Sequence, residues 1–330
     1  MYSSTNEALE LDKWLHSPDG ENHPKEFEYR LELKKSLLSP PGDTLQEHLD
    51  HIGMSQAELA ARLGRAKEKT NDLIKGRERL TIQTAKQLEK ILGISASFWV
   101  NLEQSYRQEL HEIERLEALE QHRCWLEKFP IQTLQHLGYL PTSEDNTTLI
   151  DGLLEFFAVA SPKGWENIYM SKKQSTHFFP SLHGTPDPYA LSVWLRIGER
   201  RVEKLTLANF DKKRLKHWLA DIRSVVNLES SNFPADLQAT CAEFGLAVIF
   251  MPNISNIAEV GCTRWYRDIP IIQMSEKWGL KKDFWRNFFH QIAHLLLHGK
   301  KEIFFENLEG IPRDEQKEQA SDNFALKAIR

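Results

Sequence analysis

Cysteine is scarce in this chain: three in 330 residues, at positions 124, 241 and 262, with no CxxC spacing among them. That excludes a disulfide framework and suits a reducing compartment, so a cytoplasmic location is expected. Long apolar runs are missing too. None approaches the roughly 18 residues that would span a bilayer, so no membrane partner is expected. The opening Met1-Tyr2-Ser3-Ser4-Thr5-Asn6-Glu7 has neither a basic n-region nor an apolar h-region, and no secretory signal is expected. No internal repeat, glycine-rich phosphate loop, GxGxxG or GxSxG occurs.

What is present suffices for packed cores. The chain is 41% hydrophobic, 27% charged and 10% aromatic, and its length allows two or three domains of about 100–200 residues each. The net charge of −5 is unevenly spread. Residues 1–50 hold five Lys/Arg against eleven Asp/Glu, whereas residues 55–90 hold nine against five. One short basic stretch in an acidic chain can steer towards phosphate, although an ordinary solvated helix surface would read the same way.

Residues 27–33 alternate apolar (Phe27, Tyr29, Leu31, Leu33) with charged, which predicts a strand. After Pro40-Pro41-Gly42, a series of helix starts and stops follows. Thr44 and Glu47 have capping-box spacing and Gly53 is the stop. Ser55 and Glu58 repeat the box, stopped by Gly64. A short helix over 66–74 closes at Gly76, a further one opens at Thr81 and stops at Gly93, and another opens at Ser95. The helices over 55–63 and 66–74, joined at Gly64, form a helix-turn-helix arrangement, whose second helix lies in the major groove of double-stranded DNA. The positions expected to be exposed there are Lys67, Glu68, Lys69, Thr70, Asn71 and Lys75. Asn can read adenine and Lys guanine. Gln56 and Arg77 are placed for phosphate contacts. A plain helical hairpin is the bland alternative.

The stretch Pro41-Gly42-Asp43, Gly53-Met54-Ser55-Gln56-Ala57-Glu58-Leu59-Ala60, Leu63-Gly64, Asn71, Leu73-Ile74-Lys75-Gly76-Arg77 and Phe98-Trp99-Val100-Asn101-Leu102 resembles the HigA-type antitoxins of the XRE/Cro repressor family. The resemblance implies a homodimer on a palindromic operator, often the protein's own promoter, and a cognate toxin as candidate partner. Two departures stand out. Ala66 sits where that family caps the recognition helix with Ser or Thr, and Glu68 and Asp72 place acid on that helix.

Residues 103–129 read as a long charged helix, a candidate dimerisation element. Further helices are expected over 149–158, 190–203 and 212–226, with 154–162 and 194–199 serving packing between domains. Strands are expected over 245–251, 260–266 and 270–275, the last two joined at Arg267-Asp268. Residues 282–299 then read as a helix that is apolar nearly all round, hence buried.

That helix carries His290, His294 and His298. At a spacing of four residues, His290 and His294 are about 40° apart with a rise of about 6 Å, so both rings can reach one ion. His298 is about 12 Å along the axis from His290, too far to share it. Two satisfied core histidines are the competing reading.

The string Phe288-Phe289-His290-Gln291-Ile292-Ala293-His294-Leu295-Leu296-Leu297-His298, with the hairpin before it, resembles the ImmA/IrrE-like zincin family. The resemblance implies zinc held by two histidines and a distant acid, with a Glu beside the first His as general base. Here that position is Gln291, which cannot take a proton. The third-ligand Glu precedes Ala-x-x-Phe-Ala in that family. Registering on Phe324-Ala325 puts Ala320 there, and a shift by one puts Gln319 there. Glu318 or Asp322 would serve only if the helix sits differently.

The combined expectation is a mostly α chain with a small α+β domain. It comprises an acidic segment at 1–40, a five-helix helix-turn-helix domain at 41–105, a helical connector or dimerisation region at 106–235, and a zincin-type α+β domain at 236–330. The expected function is a sequence-specific repressor of antitoxin type with a catalytically impaired peptidase-like domain. The alternatives are an active zinc endopeptidase that cleaves a partner, and a pure interaction scaffold, such as a toxin-neutralising antitoxin with negligible operator binding. Zinc is the candidate cofactor, with no cofactor at all as the other reading.

Overall fold

The computed structural model describes residues 24–170, 182, 185–219, 221–222, 232–252, 254, 257, 261–275, 284–311 and 313–329. The expected helix over 212–226 lies partly outside these residues, as do the first residues of the expected strand at 260 and helix at 282. The chain forms two compact units. One comprises the residues up to His122 with Glu144–Thr147, the other Arg123–Ser143 with Thr148–Arg330.

The first unit is helical: α1 (Pro24–Leu37), α2 (Pro41–Ile52), α3 (Gln56–Leu63), α4 (Lys67–Ile74), α5 (Ile82–Leu92) and α6 (Ala96–Glu120). Three of its starts carry side-chain caps, in which Ser55, Thr81 and Ser95 accept the backbone N–H of Glu58, Thr84 and Phe98. Gly53, Gly64 and Gly93 end α2, α3 and α5 in the left-handed conformation, which costs glycine nothing. Leu45, Leu49, Leu59, Leu63, Leu73, Leu88 and Trp99 meet in one core. At Gly42 the backbones of α2 and α4 nearly touch: an added Cβ would lie 1.7 Å from the carbonyl oxygen of Ile74.

Several expectations are corrected here. Residues 27–33 are helical, not a strand. Phe27 and Leu31, one turn apart, line a pocket with Leu116 of α6, and Lys35 pairs with Glu117 at 2.8 Å. A helix so made satisfies its own backbone, while a strand would need a neighbour. Helix α2 begins at Pro41 and not after Thr44, because proline is pre-organised for the first helical position. Residues 96–120 form one continuous helix where two had been read.

The second unit contains α7 (Arg123–Leu126), α8 (Ile131–His136), most of α9 (Asn146–Phe157), α10 (Pro162–Tyr169), α11 (Pro188–Val202), α12 (Lys212–Trp218), α13 (Phe233–Ala242), β1 (Ala247–Met251), β2 (Gly261–Tyr266), β3 (Ile269–Ser275), α14 (Phe284–Leu297), β4 (Phe304–Glu306) and α15 (Glu315–Ile329). The sheet order is β1-β3-β2-β4, with β1 parallel to β3 and the other pairings antiparallel. The chain is thus mostly helical with a small mixed sheet. The β2–β3 hairpin turns at Arg267-Asp268 as expected, with Arg267 at φ 56°.

Both faces of this sheet are covered, and the two-residue period of the strands says by what. Cys262, Arg264 and Gln273 share one face, against α11. Arg264 donates to the carbonyl of Leu195 at 2.9 Å, and Gln273 donates to that of Trp194. Gly198 lies so close that a Cβ would meet the Gln273 side chain at 2.1 Å. The opposite face, with Ile272, Met274, Val248 and Phe250, packs with Phe284, Phe288, Phe289 and Ile292 of α14. Residues 194–199 therefore pack on the sheet of their own unit. Glu199 there joins two buried guanidinium groups, Arg196 at 2.7 Å and Arg264 at 2.9 Å.

Candidate functional site

In the first unit, α3 and α4 are joined by Gly64-Arg65-Ala66, a three-residue turn of the kind that sets helix-turn-helix pairs. Arg65 holds that turn, with its guanidinium on Glu78 at 3.3 Å and on Thr84 Oγ1 at 2.7 Å. Ala66 offers no side-chain cap to α4, so the N–H groups of its first turn keep part of their capacity for an anion.

Lys67, Glu68, Lys69 and Lys75 on and after α4 are exposed, as is Arg77. Gln56, at the start of α3, is exposed and donates to Gln46. Asn71 is half-buried. Thr70 is corrected: it is fully buried, with its hydroxyl 3.4 Å from the carbonyl of Ala66. Position 70 is one helical turn before the buried Leu73 and Ile74, and so falls on the core side of α4. Lys69 lies 3.8 Å from Glu78 and Arg77 3.6 Å from Asp72. Lys67 and Lys75 have no ion pair among the described residues. Exposed pairs of this kind contribute only about 0–1 kcal/mol, so all four cations remain available to phosphate.

In the second unit, α14 and α15 pack side by side and β4 closes the sheet edge nearby. Donor atoms of His290, His294, Glu306 and Glu318 lie within 4.8 Å of one another. The two imidazole Nε2 atoms are 3.0 Å apart. His290 Nε2 is 3.0 Å from Glu306 and 3.3 Å from Glu318, and His294 Nε2 is 3.8 Å from Glu318. Each ring is held from its other side by α15: His290 Nδ1 is 3.1 Å from Asp322, and His294 Nδ1 is 3.3 Å from the Ser321 hydroxyl. Phe304 stacks on the His294 ring at 3.9 Å between centroids. Outer partners on the far nitrogen are what orient a metal-ligating histidine.

Burial pushes His294 down to about 2, with His290, His298 and Lys317 adding to the effect, so its ring is neutral and its lone pair available. Burial also lowers His290, but the Glu306, Glu318 and Asp322 carboxylates outweigh it and the net shift is upward. Glu318 is raised by burial and by the Glu306 carboxylate. Crowded acids around facing imidazole nitrogens form a donor set that fits a divalent cation.

Of the residues read from sequence, His290, His294 and Glu318 come together, and His298 stands off, 3.4 Å from Ser321. Gln291 is buried and points to the sheet, where its side-chain carbonyl accepts from the Thr263 hydroxyl. Glu306 was missed. Its only local signal is the apolar Ile303-Phe304-Phe305 before it, too short to read as a strand. A cavity of about 210 Å³, lined in part by Phe304, Leu308, Arg313 and Glu318, adjoins the cluster.

Among known proteins, no family model matches the chain. It is 33% identical over 74 residues to an uncharacterised HTH-type transcriptional regulator of Escherichia coli strain K12, YddM, an alignment spanning 22% of this chain and 79% of that protein. The chain thus belongs to the HTH-type transcriptional regulators.

Proposed function

We propose that this regulator is a sequence-specific repressor of antitoxin type, which binds a palindromic operator in its own promoter as a homodimer. The observation that carries this reading is the leading turn of α4, where Lys67, Glu68 and Lys69 are exposed beside Arg77 and Lys75 in a basic stretch of the chain. Residues 41–105 are the operator-binding part. Asn71 and the lysines reach base edges, while Gln56 and Arg77 hold the backbone. A cognate toxin is the protein partner, by likeness to the HigA-type antitoxins.

Residues 236–330 are read as a zincin-type domain, similar to the ImmA/IrrE-like family, in which His290, His294 and Glu318 hold zinc. When bound, zinc supplies Lewis acidity and an activated water. Gln291 cannot take that water's proton, and general-base assistance is commonly worth about 10²–10⁴ in rate. The domain therefore serves as a sensor or a partner-holding surface, with the cavity beside Glu318 as the place for a ligand. A second reading, an active zinc endopeptidase that cleaves a partner, is favoured by the approach of Glu318 to both histidines.

A fluorescence titration against the region upstream of its own gene tests the repressor reading. The expected affinity at physiological salt exceeds that for scrambled DNA by about 10³ or more. Equal affinity for the two would overturn it, because phosphate contacts by themselves are weak and salt-sensitive.

A further inference from the structure

We infer that Glu306 is a fourth protein ligand that closes the metal centre, so that the site is a structural clasp and not a hydrolytic one. This rests on the proposal that His290, His294 and Glu318 hold zinc.

The first support is spacing. Zinc bonds of about 2.0–2.2 Å place the corners of a tetrahedron about 3.3–3.6 Å apart. From His290 Nε2 the distances are 3.0 Å to His294 Nε2, 3.0 Å to Glu306 Oε1 and 3.3 Å to Glu318 Oε2, and that from His294 Nε2 to Glu318 Oε1 is 3.8 Å. One donor from each of the four residues lies within 4.8 Å of the others, close enough to converge on one ion, and the position a water would take in a hydrolytic site falls to Glu306.

The second support is convergence on one nitrogen. His290 Nε2 faces Glu306 Oε1 at 3.0 Å, His294 Nε2 at 3.0 Å and Glu318 at 3.3 Å, and it has at most one proton to share among them. Buried polar atoms crowded so are costly, and a cation in the cluster would answer all of them. The third is charge. Two carboxylates and two neutral imidazoles balance a dication, whereas a site with one carboxylate and a water leaves a net positive charge.

The backbone explains how Glu306 gets there. Gly261 of β2 pairs with Glu306 of β4, so the sheet edge delivers this carboxylate to the helix pair. Ligands then come from α14, β4 and α15, three elements that the ion fastens together. Closed four-ligand sites are the structural kind, while hydrolytic ones keep a position open. The turning of Gln291 towards Thr263 agrees independently.

The test uses the full chain loaded with cobalt(II), whose visible absorption reports coordination, with acetohydroxamate as a probe for an open position. The expected result is one cobalt per chain, a four-coordinate spectrum and no change on adding acetohydroxamate. Glu306→Gln should weaken cobalt binding by more than about tenfold, the lower bound for losing even an outer partner, and make the spectrum respond to the probe. Glu306→Cys should keep the closed spectrum and add a thiolate-to-cobalt charge-transfer band. A wild-type spectrum that shifts with acetohydroxamate, with cobalt affinity unchanged in Glu306→Gln, would overturn the fourth ligand and leave the three-residue site intact. Failure of the wild type to take up cobalt would instead overturn the metal reading and this inference with it.

Discussion

The Thr263 hydroxyl on β2 donates a hydrogen bond to the side-chain carbonyl of Gln291 on α14, and both side chains are buried. The residue that follows His290 is thereby tied to the sheet, away from the cluster of His290, His294, Glu306 and Glu318. Gln291→Glu places a carboxylate in that buried spot. The expected outcome is no gain of proteolysis of a co-expressed partner with zinc supplied. A fall in the thermal midpoint of about 2–10 °C should accompany it, corresponding to a cost of about 1–3 kcal/mol. Appearance of zinc-dependent cleavage in this variant would contradict the orientation assigned to position 291.

The double variant Lys67→Ala/Lys69→Ala removes two exposed cations from the leading turn of α4. Lysines at base edges carry discrimination, so the preference for the operator over scrambled DNA should fall by about 1–3 kcal/mol per lysine in each bound protomer, with unchanged circular dichroism. A preference equal to the wild type's would place these lysines away from the bases.

Gly42→Ala should be far more damaging than Gly53→Ala. At Gly42 the new methyl meets the Ile74 carbonyl at 1.7 Å, whereas at Gly53, with φ +70°, nothing lies within 4 Å. Overpacking costs about 1–3 kcal/mol or more, and left-handed strain about 1–2 kcal/mol. Urea denaturation of both variants checks the order. Because Gly42 sets the distance between α2 and α4, DNA affinity should also fall in the first variant and not in the second.

The thiols should react unequally. Cys124 is exposed, and Cys241 and Cys262 are buried. Burial pushes the Cys241 thiol far up and that of Cys262 up to about 12. Ellman's reagent at pH 8 is therefore expected to titrate one thiol rapidly in the native chain and three after denaturation. Fast reaction of all three would contradict the packing of the second unit's sheet.

Local chemistry made the first unit readable. Ser55 with Glu58, Thr81, Ser95, Gly53, Gly64 and Gly93 announce helix ends whatever the rest of the chain does. Thr70 was misjudged because the helical face that meets the core is decided by neighbouring helices. Phe27 to Leu33 alternate like a strand, yet Phe27 and Leu31, one helical turn apart, line a pocket with Leu116 of α6. In the second unit, the histidine spacing showed that His290 and His294 share one face, where their Nε2 atoms stand 3.0 Å apart. Glu318 was visible as one of two candidate acids, with Asp322, because the turn of α15 about its axis is set by packing on α14. Glu306 was out of reach: its place beside His290 depends on a three-residue edge strand pairing with β2 across more than forty positions.

Selection of binding sites from a pool of random duplexes by the full chain addresses operator reading most directly. Repeated rounds at physiological salt should enrich a palindromic sequence with half-sites about one helical turn apart, and the enrichment should be lost with Asn71→Ala. A pool that stays random through every round, while the chain still binds it, would contradict sequence-specific recognition by α4.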